Sequence, residues 1–189
     1  YTKNSNPVVA MRKGVFLYGG FEKNETSREQ RNWIENETVI DGEDDHRCVE
    51  GADDAVLDGF VLTHGSNTGG SPDREHAGGS GLYNRNASPT IANCIFINNY
   101  FTSALGLNPE GGGAVCNYEA SPKFLKCTFI SNSTDVAGGA IVNAGMTTVA
   151  EFDSCVFIGN RSDIIGGVIV NGGKATASFM NCIFDDNVG

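Results

Sequence analysis

Two turn regions of the chain carry the side chains most able to do chemistry. The first holds the consecutive residues Asp73, Arg74, Glu75 and His76. Two carboxylates beside an imidazole can perform acid–base work or hold a cation, and aromatic rings nearby would add faces that bind a sugar. The predicted ligand site comprises Asp73, Glu75, His76, Tyr100, Phe101 and Glu110. The alternative is a solvated loop whose aromatic rings fold back over the protein.

A second acidic group lies upstream and invites comparison with a metal site. Its members are Asp41, Asp44, Asp45, His46, Asp53 and Asp54. Calcium takes six or more oxygen ligands, and this spacing matches no calcium-binding loop. A glycine-rich stretch at residues 78–84 lacks the Asp residues and the nine-residue period of calcium β-rolls. We therefore predict no catalytic or metal-ligand set and no cofactor, with calcium left open.

A sequence motif that occurs four times determines where the two turns lie in the fold. Each of four copies runs from a Gly through an Asn to a Cys-x-Phe and a second Asn, and the cysteines follow each other at 33, 28 and 27 residues. A fixed period of this length is typical of stacked supersecondary units. Cys and Phe stand two residues apart, so they share one face of a strand. We predict that this face points inward and that identical residues form columns.

The repeat also predicts columns of asparagine, whose stacked amides can hydrogen-bond from rung to rung. The expected members are Asn84, Asn117, Asn143 and Asn171 in one column and Asn99, Asn132, Asn160 and Asn187 in the other. Four of the six cysteines fall in the inward Cys column, where a thiol acts as a small hydrophobe. We expect free thiols rather than disulfides, since parallel Cβ vectors suit a bridge poorly.

Coil length selects the fold class. Each copy has about 27 residues and three short strand-like runs. A leucine-rich repeat would need many more leucines than the seven present. A hexapeptide β-helix would show a six-residue period, which the sequence lacks. We predict an all-β, right-handed, single-stranded parallel β-helix. A capping-box pattern at residues 27–30 adds one short N-terminal helix through about Ile34, with Trp33 packing on the coil below.

Turn lengths place the two candidate turns at one corner. Five residues intervene between Asn132 and Gly138 and between Asn160 and Gly166, against twelve after Asn99 and fourteen after His64. Because the long turns occupy the same corner of consecutive coils, residues 65–78 and 100–111 are expected to contact each other. Long loops on a rigid scaffold are where function tends to sit.

The repeat resembles a known group of proteins. Gly138 to Ile141, read with Phe157 to Asn160, is similar to the GGA[IV]/FxxN repeats of polymorphic outer membrane proteins and related bacterial β-helix surface proteins. Residues 15–21, 25–33 and 56–60 resemble the opening of large secreted proteins of that kind. The resemblance implies a pectin-lyase-like fold and a place outside the bacterial cell, secreted or on its outer surface. It implies little about activity, because this fold hosts adhesins, lyases and hydrolases.

Amino-acid composition limits the kinds of partner that the chain is expected to bind. The 189 residues carry 23 acidic and 13 basic side chains, a formal charge of −10, which disfavours nucleic acid. No apolar run approaches the ~18 residues of a membrane span. We expect one domain over 1–189 and part of a longer protein, with irregular coils at 1–63 and four regular repeats at 64–189. Open coil ends would allow end-to-end association.

The function expected from these features is non-catalytic. The chain is interpreted as an extracellular β-helix segment acting in adhesion or carbohydrate binding, with a glycan or a cell-surface protein as partner. The alternative is a fragment of a carbohydrate-active enzyme, a polysaccharide lyase or glycoside hydrolase. The outward positions of the first strand of each repeat are almost uncharged, and the second strand offers the mixed strip Lys123, Lys126, Glu151 and Asp153. Neither pattern fixes a catalytic set.

Overall fold

The chain is all-β, as predicted. The computed structural model describes residues 7–69, 78–103 and 111–189, and these ranges contain 22 short strands and one turn of 3-10 helix. In chain order the strands are β1 (Val9–Ala10), β2 (Phe16–Tyr18), β3 (Val39–Asp41), β4 (Val49–Glu50), β5 (Val56–Asp58), β6 (Val61–Thr63), β7 (Ser66–Gly69), β8 (Leu82–Arg85), β9 (Thr90–Ala92), β10 (Ile95–Ile97), β11 (Tyr100–Ser103), β12 (Val115–Tyr118), β13 (Lys123–Leu125), β14 (Thr128–Ile130), β15 (Ser133–Thr134), β16 (Ile141–Ala144), β17 (Val149–Asp153), β18 (Val156–Ile158), β19 (Arg161–Ser162), β20 (Ile169–Asn171), β21 (Thr176–Met180) and β22 (Ile183–Asp185).

The strands of successive coils pair in parallel and form four sheets. The first sheet is β1-β4-β8-β12-β16-β20, the second is β2-β5-β9-β13-β17-β21, and the third is β3-β6-β10-β14-β18-β22. A four-stranded corner sheet, β7-β11-β15-β19, follows the third-sheet strands β6, β10, β14 and β18 in four of the coils. The parallel β-helix expected from the repeat is confirmed, and the corner sheet is an additional element that the sequence did not reveal.

Stacked aromatic rings fill the interior of the coils. In the third sheet, register places Phe96, Phe129, Phe157 and Phe184 opposite one another, with ring centroids 4.7–4.8 Å apart and nearly parallel. A second column from the second sheet consists of Ile91, Phe124, Phe152 and Phe179. The two columns meet edge-on at centroid distances of 5.6 to 6.4 Å. The predicted inward phenylalanine column is confirmed.

Both asparagine columns are present as hydrogen-bonded ladders. In the first sheet each amide Nδ2 donates to the Oδ1 of the next coil at 2.8 Å. In the second ladder, Nδ2 of Asn132 donates to Oδ1 of Asn160 (3.0 Å) and to the carbonyl of Phe96 (2.9 Å). Its Oδ1 accepts from both the backbone N–H and Nδ2 of Asn99. The fully buried amide therefore has all its bonding groups satisfied.

All six cysteines are free, as predicted. Cys94, Cys127 and Cys155 are buried, whereas Cys182 is half-buried because its coil is the last one described. The expectation that all four column cysteines are buried is thus wrong for Cys182. Burial in apolar surroundings raises the pKa of the Cys94 thiol to about 12 and the pKa of Cys127 well above its ordinary value.

The predicted N-terminal helix is shorter than expected. It is a 3-10 turn, Arg28–Gln30, with Ser27 as N-cap, and Oε1 of Gln30 accepts from the backbone N–H of Ser27 at 3.1 Å. Arg31 is extended (φ −62°, ψ 147°) and ends the helix well before Ile34. Across the described ranges, no helix has the length and apolar character needed to cross a membrane.

Truncating an inner ring of the phenylalanine column should be costly. Phe129 stacks between Phe96 and Phe157 and is fully buried, so we expect Phe129→Ala to lower the free energy of unfolding by about 3–5 kcal/mol. The matched control is Phe184→Ala in the same column, where the ring is 49% exposed and the loss should be markedly smaller. Urea unfolding followed by circular dichroism measures both. Equal losses would contradict the assignment of the column to the core.

Thiol labelling should separate the cysteines by depth. With a pKa of about 12, roughly one Cys94 thiol in ten thousand is ionised at pH 8. We expect Cys94, Cys127 and Cys155 to resist a thiol reagent in the native protein, Cys182 to react, and all six to react in denaturant. Mass spectrometry of the labelled peptides assigns each site. Rapid native labelling of Cys127, or a bridged pair in the unreduced protein, would overturn this prediction.

Candidate functional site

A cluster of polar and aromatic side chains lies on the outer face of the second sheet. Tyr18 ends β2 and lies in register with Asp58, the last residue of β5. The segment that contains the 3-10 turn leaves the coil and returns over these two residues. Gly20 permits the return, because it has φ +89° and any Cβ there would lie 2.6 Å from the backbone of Trp33. Local backbone geometry thus brings Trp33 and its neighbours against the sheet.

A buried ion pair fastens this segment to the sheet. Nη2 of Arg31 donates to Oδ2 of Asp58 at 2.5 Å, and Nη1 donates to the carbonyls of Gly19 and Asp58 at 3.2 and 3.1 Å. Oδ1 of Asp58 accepts from Nδ2 of Asn93 at 2.8 Å. Only 8% of the Arg31 side chain and 14% of the Asp58 side chain are exposed. Both carboxylate oxygens of Asp58 are therefore engaged in holding the structure.

Planar side chains stack beside the ion pair. The guanidinium of Arg31 lies 4.8 Å from the ring centroid of Trp33 and 5.1 Å from that of Tyr18. The exposed guanidinium of Arg28 lies 4.9 Å from the same tyrosine ring and donates to its hydroxyl at 2.9 Å. Arg28 also pairs with Glu29 at 3.2 Å. At these distances a cation and the aromatic ring beneath it attract each other electrostatically.

These residues line an open cleft of about 480 Å³, a size within the range of small-ligand sites. The lining consists of Tyr18, Arg28, Glu29, Arg31, Trp33, Val56, Asp58, Thr90 and Ala92. Two positive and two negative side chains balance each other there, and the remaining surface is aromatic, aliphatic or hydroxyl. The cleft can offer both hydrogen-bond donors and acceptors beside apolar ring surface.

Only part of this cluster is predictable from the sequence. Trp33 was expected to pack on a coil, and the structure agrees, but the arginines and Tyr18 were not singled out. Asp58 was the available signal, as a charged residue inside the otherwise apolar run from Val56 to Leu62. Arg28 and Arg31 belong to no repeat, so column reasoning could not place them.

The site predicted from the two long turns is described only at its base. β7 and β11 pair in parallel, with Ser66 opposite Tyr100, so the start of the two turns lies side by side as expected. The Tyr100 ring is 43% exposed, whereas Phe101 is fully buried. The remaining four residues, Asp73, Glu75, His76 and Glu110, lie outside the described residues. The ligand site assigned to this corner stays a prediction.

Phe101 folds back over the coil and joins a second core outside the first sheet. The cluster consists of Tyr83, Phe101, Cys116, Val136, Ala137, Val142 and Ala144, with Val170 packed against it. Its first-sheet members occupy the outward positions that the sequence indicated to be uncharged. Corner segments cover most of these positions, so little of this part of the sheet is open to a ligand.

Arg47 is built into the same corner. Its guanidinium lies 4.6 Å from the Tyr83 ring centroid and is almost fully buried. Nε donates to the carbonyl of Gly79 and Nη2 to the carbonyl of Gly78, each at 2.9 Å. Burial lowers the pKa of this guanidinium from its ordinary value, and its donors tie the base of the first long turn to the coil.

The upstream acidic group separates into independent pairs. Asp41 lies 3.4 Å from Nδ1 of His64, and Asp45 lies 3.6 Å from Nε2 of His46. Lys13 pairs with Asp53 and Asp54 at 3.2 and 3.5 Å, on exposed surface. In the part of the chain that the structure describes, no three His, Cys, Asp or Glu side chains converge as a metal site would require.

Comparisons with known proteins give no indication of the function of this cleft. The chain matches no protein-family model, no curated protein and no solved structure.

Removing the arginine of the ion pair should destabilise the fold. Arg31→Ala leaves the Asp58 carboxylate buried without its cation, so we expect the free energy of unfolding to fall by about 3–5 kcal/mol. Arg28→Ala is the matched control, because its partner Glu29 is exposed and surface pairs contribute about 0–1 kcal/mol. Urea unfolding measures both variants. A loss for Arg31→Ala no larger than that for Arg28→Ala would show that the pair does not fasten the segment.

Proposed function

We propose that the chain is a non-catalytic, extracellular β-helix segment of a bacterial surface or secreted protein that acts in adhesion through carbohydrate binding. The stacked coils supply a rigid scaffold with one interrupted face, and the repeats resemble those of polymorphic outer membrane proteins. Long repetitive scaffolds suit a protein that presents a binding surface away from its point of attachment.

The cleft beside Trp33 carries this proposal. A sugar ring has apolar C–H faces and a rim of hydroxyls, so it is bound by aromatic surface flanked by donors and acceptors. Trp33, Tyr18 and Arg28 provide that combination in a volume of about 480 Å³. Because two cations and two carboxylates balance in the cleft of a chain whose formal charge is −10, the favoured ligand class is a neutral saccharide.

The same geometry speaks against the enzymatic alternative at this cleft. A general acid or base must have a free proton-exchanging oxygen within reach of the substrate. Both oxygens of Asp58 already accept hydrogen bonds from Arg31 and Asn93. Glu29 is exposed and paired with Arg28, which leaves the cleft without a second positioned carboxylate.

Trp33 gives a direct measurement of occupancy, because it is the single tryptophan of the chain. We expect a neutral oligosaccharide chosen by glycan-array screening to change the Trp33 fluorescence saturably. Arg28→Ala should weaken that binding at least tenfold, by loss of a donor and of the cation over Tyr18. Lys123→Ala is the control, since Lys123 lies on the same sheet outside the cleft and pairs with Glu151.

Three results would contradict parts of the proposal. An array without any binder would remove the carbohydrate function. Binding lost in Tyr100→Ala but unaffected by Arg28→Ala would move the site to the corner, where Asp73, Glu75, His76 and Glu110 were predicted to contribute. Release of new reducing or unsaturated ends from a bound polysaccharide would replace the binding protein by an enzyme.

A further inference from the structure

The outer face of the third sheet is a flat aliphatic strip. Ile40, Leu62, Phe96, Phe129 and Phe157 point into the core from the middle of their strands, so the residues on either side of each point outward. These stack into two columns, Val39, Val61, Ile95, Thr128, Val156 and Ile183 in one and Asp41, Thr63, Ile97, Ile130, Ile158 and Asp185 in the other. We call this surface the aliphatic strip.

The strip differs from the other sheet faces in its charge. Asp41 and Asp185 are its charged members, and both stand at its ends, although the chain holds 36 charged residues. The outer face of the second sheet has Asp58, Lys123 and Glu151 among its inner strands. The outer side of the first sheet carries Glu50, opposite Tyr83, and Arg85, opposite Tyr118, and the second core covers much of the rest. Between its two end strands the strip holds no charged side chain, and apart from the buried Thr63 its side chains are at least partly exposed among the residues that the structure describes.

The exposed area of the strip is large for a protein surface. Ile158 is 37% exposed, Val39 and Ile183 are more exposed, and most of the other apolar members are half-buried. Together these side chains expose roughly 400–500 Å² of nearly continuous apolar surface, which is the size of the largest patch on a typical monomer. Such a patch is often functional.

We propose that the aliphatic strip packs against the same strip of a second copy of this chain, related by a two-fold axis. Both strips have straight columns with the same ~4.8 Å rung spacing, so side chains can interdigitate when two such sheets face each other ~10 Å apart. A two-fold axis places like surface on like surface and closes the pair. With its rim, the pair would bury roughly 1,000 Å² in total, the lower limit of a specific interface.

The border of the strip allows two acidic chains to approach. In the three inner coils of the regular repeat the corner positions are Asn93, Lys126 and Ser154 on one side and Asn98, Ser131 and Gly159 on the other. Lys126 is the charged residue among these six. Since each copy carries a formal charge of −10, repulsion comes from the other faces and from Asp41 and Asp185 at the ends of the strip, and it is screened by salt. The dimer should therefore be weak and should tighten as salt is added.

This inference does not depend on carbohydrate binding, because the cleft lies on the second sheet. Sedimentation velocity of the full 189-residue chain over a protein concentration series, at low and at high sodium chloride, measures the association directly. We expect a monomer–dimer equilibrium whose dissociation constant falls at high salt. The variant Ile130→Glu/Ile158→Glu should raise the dissociation constant more than tenfold by placing carboxylates in the strip.

Leu125→Glu is the matched control, because Leu125 points outward from the neighbouring second sheet and is 37% exposed, the same as Ile158. It should leave the dissociation constant unchanged, and circular dichroism melting verifies that all variants are folded. A wild-type chain that stays monomeric throughout the series overturns the proposal. So does equal weakening by Leu125→Glu, or a dimer that Phe179→Glu at the open coil end abolishes while the strip variant leaves it intact.

Discussion

In-register parallel pairing between coils is the constraint on which the rest of the structure depends. Each residue lies opposite its counterpart one rung away, at the ~4.8 Å spacing of hydrogen-bonded strands. That spacing is also a comfortable distance for stacked rings, and the parallel phenylalanine pairs lie 4.7–5.0 Å apart. Core packing therefore follows from repetition, since a residue type that fits one coil fits the next. Coil length can vary in the turns that follow the paired strands, where no residue has to match a partner one rung away.

The asparagine ladders extend the same constraint to polar groups. A buried amide without partners would cost free energy, but a column of amides satisfies itself because each Nδ2 meets the Oδ1 of the next rung. The first ladder shows the consequence of interrupting the column. At the coil before Asn84 the matching position is Gly51, and Oδ1 of Asn84 is buried without a partner among the described residues. Whether a buried amide has all its hydrogen bonds thus depends on the residues at the same position in the neighbouring rungs.

What the sequence could predict follows from this physics. The Cys, Phe and Asn columns were predictable because a column is a period, and Cys94, Phe129 and Asn132 lie where the period placed them. The second core was not predictable, since Phe101 and Val136 come from corner segments of different length whose alignment no repeat defines. The cleft was not predictable either. Arg31 finds Asp58 across 27 residues, and only the folded path of the segment between them brings the two charges together.

The two proposed surfaces use the repeat in opposite ways. A small ligand needs a local, unrepeated cluster, and among the described residues such a cluster lies where the segment carrying Arg28, Arg31 and Trp33 leaves the coil and returns over the second sheet. A second copy instead needs a surface that matches itself, and regular coils produce such a surface without further design. Each added coil lengthens the aliphatic strip by one rung, so its contact area grows with coil number while the cleft stays a single site. In a solenoid, discrete recognition therefore arises at interruptions of the repeat, and self-association arises from its continuity.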